Sequence, residues 1–158
     1  MHIRFAEKKD IPTILRLLQQ IGQVHHNGRP DLFRAEAQKY DAQDLELVLS
    51  DPERPIFVAD QEGQVLGYGF CVVQIHQGDP VRMDGRNLYI DDLCVDAAAR
   101  SQHIGTALYD HIVSFAREIG CRSVTLNVWA FNESALRFYE KRGLKPQKIV
   151  MESILEEN

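Results

Sequence analysis

Between Asn87 and Ile119 the chain runs from an apolar stretch, Leu88-Tyr89-Ile90-Asp91-Asp92-Leu93-Cys94-Val95, through a short polar link into a regularly spaced apolar stripe. The first part predicts a strand over 87–95. Ile104, Ala107, Leu108, Ile112, Phe115, Ala116 and Ile119 recur at helical spacing with His111 among them, which predicts a helix over 102–119 ended by Gly120. The pattern then repeats, with a strand over 122–129 and a helix over 132–142. That helix closes on Lys141, Arg142 and a C-terminal Gly143. Two strand-to-helix crossovers in succession require a sheet that carries helices on its faces.

The earlier half supplies the rest of that sheet. Residues 2–6 read as a short strand. Asp10 is placed to cap a helix with Pro12 in its first turn, and Ile11, Ile14, Leu15, Leu18 and Ile21 form its stripe, which His25 continues. Asn27-Gly28-Arg29-Pro30 ends it. Residues 31–51 read as helical, in one or two pieces, up to the break at Asp51-Pro52. Strands over 56–60 and 64–74 flank Gln61-Glu62-Gly63 as a hairpin. Residues 148–155 form a last candidate strand. The fold class is therefore α/β in the α+β sense: a mixed, mostly antiparallel sheet between helices, in one domain spanning 1–158.

Composition narrows the function classes. Hydrophobic residues make up 44% and charged residues 26%, an ordinary globular balance. The formal net charge of −5 disfavours sequence-independent nucleic-acid binding, which needs a basic footprint. No apolar run has membrane-spanning length, and the N-terminus lacks the pattern of a signal peptide. Cys71, Cys94 and Cys121 are odd in number and far apart, so they read as free thiols of a reducing, cytoplasmic compartment and not as a metal site or a disulfide set.

Two places can carry chemistry. Gln102-His103-Ile104-Gly105-Thr106-Ala107 opens a helix with small residues, and Arg100 lies just upstream. A helix N-terminus with a close-approaching backbone suits a phosphate group, or the small residues serve only to pack the helix on the sheet. Asp91 and Asp92 interrupt the strand, and neighbouring strand residues point to opposite faces. Either carboxylate can take a proton from an amine or hold its ammonium form, or can be satisfied structurally. Tyr139 can act as a proton donor, since a phenol with a pKa of about 10 stays protonated at neutral pH, or as a packed ring. Asn132 can serve a ligand or cap its helix. His25 and His26 stand where an acceptor pocket could open, or are an ordinary stripe residue and its neighbour. The acidic cluster Glu152, Glu156 and Glu157 reads as a solvated face.

Taken jointly, residues 87–144 resemble the cofactor-binding half of the GNAT acetyltransferase superfamily. Gln102–Ala107 matches its Gln/Arg-x-x-Gly-x-Gly/Ala signature, and Asn132–Leu144 matches its Asn-x-x-Ala-x-x-Phe-Tyr-x-x-x-Gly-Phe segment. Leu-Tyr-Ile-Asp-Asp-Leu-Cys-Val is similar to the fourth strand of the spermidine/spermine N-acetyltransferases. The resemblance implies acetyl-CoA as cosubstrate, no metal, and direct transfer of the acetyl group to a small-molecule primary amine in a ternary complex. It implies that backbone around Leu93, Cys94 and Val95 holds the acetyl carbonyl and pantetheine. It further implies that Arg100, Ser101, Gln102, His103, Ile104, Gly105 and Thr106 hold the pyrophosphate, and that Asn132 and Ser134 lie on the cofactor's side. By the same likeness Asp91 is the base with Asp92 beside it, and Tyr139 is the acid for the departing thiolate. Ser101 and His103 stand where the family favours glycine, which implies a stiffer loop. A homodimer is common in the family, with the last strand as an interface. A protein N-terminal or lysine acetyltransferase, and a non-catalytic acetyl-CoA-binding domain, are the alternative readings.

Overall fold

A computed structural model describes residues 1–156; of the C-terminal acidic cluster, Glu157 lies outside the described residues. The chain divides into two compact units, one spanning Met1–Asn127 and one running from Val128 onward. The first holds β1 (His2–Phe5), α1 (Ile11–Gly28), α2 (Ala42–Leu49), β2 (Ile56–Gln61), β3 (Gln64–His76), β4 (Gly85–Val95), α3 (Ile104–Glu118) and β5 (Ser123–Leu126). The second holds α4 (Glu133–Lys141).

The five strands form one sheet in the order β1-β2-β3-β4-β5. The first four run antiparallel and β5 joins β4 in parallel. Alternation along β3 sorts the two faces. Tyr68 and Phe70 pack among Ile14, Leu17 and Leu18 of α1 and Leu45 and Val48 of α2. Gly67 and Gly69 point the other way, toward Leu108 and Ile112 of α3. A Cβ on Gly69 would stand 2.6 Å from Ile112 Cδ1, and one on Gly67 only 2.8 Å from the Cys94 carbonyl oxygen, so both glycines let α3 lie close against the strand. Phe57, His111 and Phe115 add an aromatic cluster to the α3 face.

Several helix boundaries follow from local chemistry. Gly120 (φ +78°) and Gly143 (φ +92°) end α3 and α4 in left-handed turns. At each, the next residue reaches back across the last turn: Cys121 N–H to Ala116 O at 2.8 Å, and Leu144 N–H to Tyr139 O at 3.1 Å. The segment expected to be helical over 31–51 is helical only over Ala42–Leu49. Asp41 and Asp44 start α2 with reciprocal side-chain caps at 2.8 and 3.0 Å. Upstream, Glu36 takes a left-handed φ of +53°, which a continuing helix does not allow. His26 Nδ1 lies 2.7 Å from the Phe33 carbonyl oxygen and the His25 and Phe33 rings are 5.1 Å apart, so the two histidines fasten this segment to α1.

The strand expected over 148–155 is not formed. Ile149, Val150, Met151, Ile154 and Leu155 are all exposed. A strand needs a ladder partner, and the second unit contains no strand among its described residues.

Candidate functional site

The sheet opens at one defined point. Asn87 fastens the closed end of β4: its amide donates to Gln74 Oε1 and Thr125 Oγ1, both at 3.0 Å, and its Oδ1 accepts from Ser123 Oγ at 2.6 Å. β4 and β5 then pair from Asn87↔Ser123 to Ile90↔Leu126 and no further. Beyond Ile90 the β5-facing edge of β4 has no strand partner among the described residues. On the β3 side the ladder slips at the same place, because Cys71 pairs with Ile90 while Phe70 pairs with Asp92. Asp91 is the extra residue of a β-bulge. Downstream, Asp96 N–H bonds the Leu66 carbonyl at 2.8 Å. Antiparallel alternation therefore turns the backbone groups of Leu93 and Val95 away from β3, onto the open edge.

The bulge alters the expectation that Asp91 and Asp92 face opposite sides. Asp91 Oδ2 accepts from Lys39 Nζ at 3.0 Å, and both carboxylates act electrostatically on that ammonium. Asp92 Oδ2 accepts a 2.6 Å hydrogen bond from the Tyr68 hydroxyl. Burial raises the Asp92 pKa above the ordinary carboxylate value, outweighing the hydrogen bond from Tyr68 and the field of Lys39. Burial likewise raises the Tyr68 phenol, with the Asp92 charge adding to it. Burial is also the first reason that the Cys94 thiol is pushed up to about 12. Cys94 packs in the α1-side core, so its backbone belongs to the open segment while its side chain does not.

The link from β4 to α3 has an unusual backbone. After a short 3-10 turn at Ala97–Ala99, Arg100 is extended, Ser101 has φ +71° and His103 has φ +59°. These two positions, where glycine was expected from the resemblance, keep the left-handed conformation with a side chain in place. His103 is the residue before α3 and supplies no side-chain cap to it. Arg100, Ser101, Gln102 and His103 are exposed, and Ile104 is buried beneath the half-buried Gly105 and Thr106. The first amides of α3 thus emerge at the end of an exposed loop, with a cation close in sequence.

In the second unit, Asn132 caps α4. Its Oδ1 accepts from the Ala135 N–H and from Ser134 Oγ, both at 3.3 Å. Tyr139 is half-buried, its ring 5.2 Å from that of Phe138. Its carbonyl accepts the Leu144 N–H that closes the helix.

Two residues of α1 were not singled out from the sequence. Gln20 donates to the Val95 carbonyl at 3.0 Å and accepts from Ala97 N–H at 3.1 Å. Four residues earlier, Arg16 binds Asp96 at 2.6 Å and holds that carboxyl below its usual range. Together they fix the end of β4 from one helix face. Their signal in the sequence was an i, i+4 polar pair on an otherwise amphipathic helix, which reads equally well as surface. Cys71 and Cys94 are buried free thiols, and Cys121 is a half-buried one. No cluster of metal-ligating side chains occurs among the described residues, and no helix among them is long and apolar enough to cross a membrane.

Similarity to known proteins agrees with this geometry. The family model described as "Acetyltransferase (GNAT) family" matches residues 18–144. The thialysine N-epsilon-acetyltransferase of Bos taurus is 26% identical over 149 residues, covering 89% of this chain and 82% of that protein. The crystal structure of a mutant of the BH1408 protein of Bacillus halodurans superposes with a TM-score of 0.93 at 27% identity, over 99% of this chain and 100% of that one. An aminoglycoside acetyltransferase from an uncultured soil metagenomic sample shares the fold, with a TM-score of 0.74 at 22% identity over 98% and 95% of the two chains. The chain is an N-acetyltransferase and belongs to the GNAT family.

Proposed function

We propose that this protein, acting as one domain, transfers the acetyl group of acetyl-CoA to the primary amine of a small cationic molecule by direct attack in a ternary complex. The observation that carries the reading is the coincidence, within a few residues, of an unpaired strand edge and an acidic pair. An amide-bearing linear arm suits the edge, because Leu93 and Val95 turn peptide groups toward it. An anionic end suits the exposed loop at 100–106, where the Arg100 cation and the first amides of α3 are offered. Gln20 already holds the Val95 carbonyl, so the Leu93 and Val95 N–H groups are the donors left for an acyl carbonyl. Cys94 and Ile104 contribute only backbone to this cradle, while Ser101, Gln102, His103, Gly105 and Thr106 line it. Asn132 and Ser134 order the backbone at the start of α4 on the cofactor's side.

When bound, acetyl-CoA supplies the activated acetyl group as a thioester. The chain's own task is to present a neutral amine to it. Alkylamines are mostly protonated near neutral pH, with a reference pKa of about 10.4 for a lysine-like group. Asp91 receives the acceptor's ammonium, and Asp92, made more basic by burial, takes the proton directly or through water. Tyr139 is the proposed donor of a proton to the departing sulfur. The bovine relative is named for the ε-amine of thialysine, and an acceptor of that kind, small with a distal primary amine, is the class proposed here. We also place the enzyme in the cytoplasm, where its three free thiols stay reduced, and propose that it forms a homodimer whose second copy covers the exposed apolar residues at 149–155.

The test is thiol release from acetyl-CoA against a panel of diamines, thialysine and lysine-bearing peptides. Turnover with the small amines and not with peptides supports the reading, and coenzyme A binding without turnover of any acceptor overturns it. Within the panel, Tyr139→Phe should lower kcat by about 10²-fold with little change in acetyl-CoA affinity. Equal kcat would remove Tyr139 from the acid role.

A further inference from the structure

Lys39 is itself a primary alkylammonium, and its Nζ sits 3.0 Å from Asp91 Oδ2. Its surroundings are those an amine ligand would require. Two carboxylates act on it, and the ammonium lies 5.4 Å from the centroid of the Tyr40 ring. Tyr40 stacks at 5.9 Å on Phe70, the ladder partner of Asp92, and its hydroxyl accepts from Arg54 Nη2 at 3.0 Å. The aromatic floor is thus fixed from two sides. Lys39 has no such anchor in its side chain: it comes from the non-helical segment before α2, and more than half of its side-chain surface is exposed. An ion pair of this exposure contributes little, because solvent screening and side-chain entropy offset most of the attraction.

We propose that Lys39 is a tethered stand-in for the acceptor. It occupies the amine subsite in the free enzyme and swings off Asp91 when a cationic acceptor enters. This rests on the reading of Asp91 as the acceptor's carboxylate. The device has two consequences. It keeps the Asp91 carboxylate paired between turnovers, and it sets a threshold that favours acceptors bearing more positive charge than a single lysine side chain.

The test uses the full-length protein and putrescine. Lys39→Met keeps the length and removes the competitor, so the KM for putrescine should fall by about two- to fivefold, the range an exposed ion pair can supply. The KM for acetyl-CoA, measured in the same series, should not follow. Lys39→Arg should act in the opposite sense, because a guanidinium grips a carboxylate with two parallel hydrogen bonds and is harder to displace. Calorimetry of putrescine binding to both variants in the absence of acetyl-CoA gives the same ordering without turnover. A raised putrescine KM in Lys39→Met, or the same Kd in Met and Arg variants, overturns the stand-in. A wild-type protein that binds coenzyme A but acetylates no amine overturns the functional reading instead, and the calorimetric ordering still decides whether Lys39 competes for the subsite.

Discussion

Two regions of the first unit set carboxylates against the same sheet, buried at one and half-buried at the other, and they treat them in opposite ways. At the β1 corner, Arg4 donates to Asp10 at 2.8 and 3.0 Å and to Asp60 at 2.8 Å. Asp10 also accepts the Glu7 N–H at 2.7 Å, and Asp60 accepts the Gly63 N–H at 2.7 Å. Burial is the largest influence on Asp10 and would raise it, but the Arg4 hydrogen bond, the Glu7 N–H and the charges of Arg4 and Lys9 together outweigh it and hold the carboxyl below its usual range. At the β4 bulge the partners are of another kind. Asp92 has a neutral phenol, Asp91 has a lysine on a flexible stem, and burial wins at Asp92. The first cluster is closed and the second is available. The first satisfies every oxygen with rigid donors. The second leaves a carboxylate made more basic by burial beside an unpaired strand edge.

Disarming the closed cluster should have the largest effect. Arg4→Met should cost about 3 kcal/mol in urea unfolding, since it strands a carboxylate that is only 4% exposed. The pH dependence carries the sign. Asp10 has a depressed folded pKa, so its contribution is present above the ordinary carboxylate value of about 4 and is lost as pH falls through the depressed one. Without Arg4, burial raises the Asp10 carboxyl, so the gap between wild type and Arg4→Met should start to narrow in mild acid, as the stranded group takes a proton, and go on narrowing until pH falls through the depressed wild-type value. A loss below about 1 kcal/mol at neutral pH would class the cluster with ordinary surface pairs.

The corner also shows where sequence reading stops. Asp10 was legible as a helix start, and α1 does begin there, but the carboxylate caps Glu7 and serves Arg4 instead of α1. Spacing carries the helix stripe; it does not carry a partner brought in by strand register. The same holds at the bulge. The acidic pair, the loop and α3 were readable in order, because strand and helix periods are local. The slip that makes Asp91 an extra residue was not, because it depends on Cys71 and Phe70 in another strand. Gln20, Arg16 and Lys39 were missed for the same reason: each meets β4 or the residue after it across more than fifty residues of chain. The strand expected at 148–155 failed the other way, since its apolar residues are there but no ladder accompanies them among the described residues of its unit.

A second test works on the available cluster. Asp92→Asn keeps an acceptor for the Tyr68 hydroxyl and removes the charge that burial disfavours. It should raise the melting temperature at pH 8 by a few degrees while lowering amine turnover by about 10²-fold. The sign is opposite to that of Asp10. A raised folded pKa means the penalty is present above that pKa and is relieved as pH falls through it toward the unfolded value. The advantage of Asp92→Asn should hence fade in mild acid, whereas the Arg4→Met gap keeps narrowing down to the depressed Asp10 value of the wild type. An unchanged or lower melting temperature at pH 8 would show that the Asp92 charge is as well answered as that of Asp10.

The smallest expected effect concerns the loop that continues the available region. Ser101 and His103 hold left-handed backbone at φ +71° and +59°, which costs a non-glycine residue about 1 kcal/mol or more. Glycine removes that strain but gives the unfolded chain more freedom, so Ser101→Gly should stabilise by no more than about 1 kcal/mol. If the side chain keeps the loop shaped for an anionic ligand, the gain comes with a looser cradle, and the coenzyme A Kd should weaken by about two- to threefold. The β1 corner holds no comparable trade, because its groups answer only one another. Greater stability with unchanged affinity would mean that the strain at Ser101 is incidental to binding. Lower stability would mean that the hydroxyl has a structural role outweighing its backbone strain, and the contrast between the two regions would then rest on the carboxylates alone.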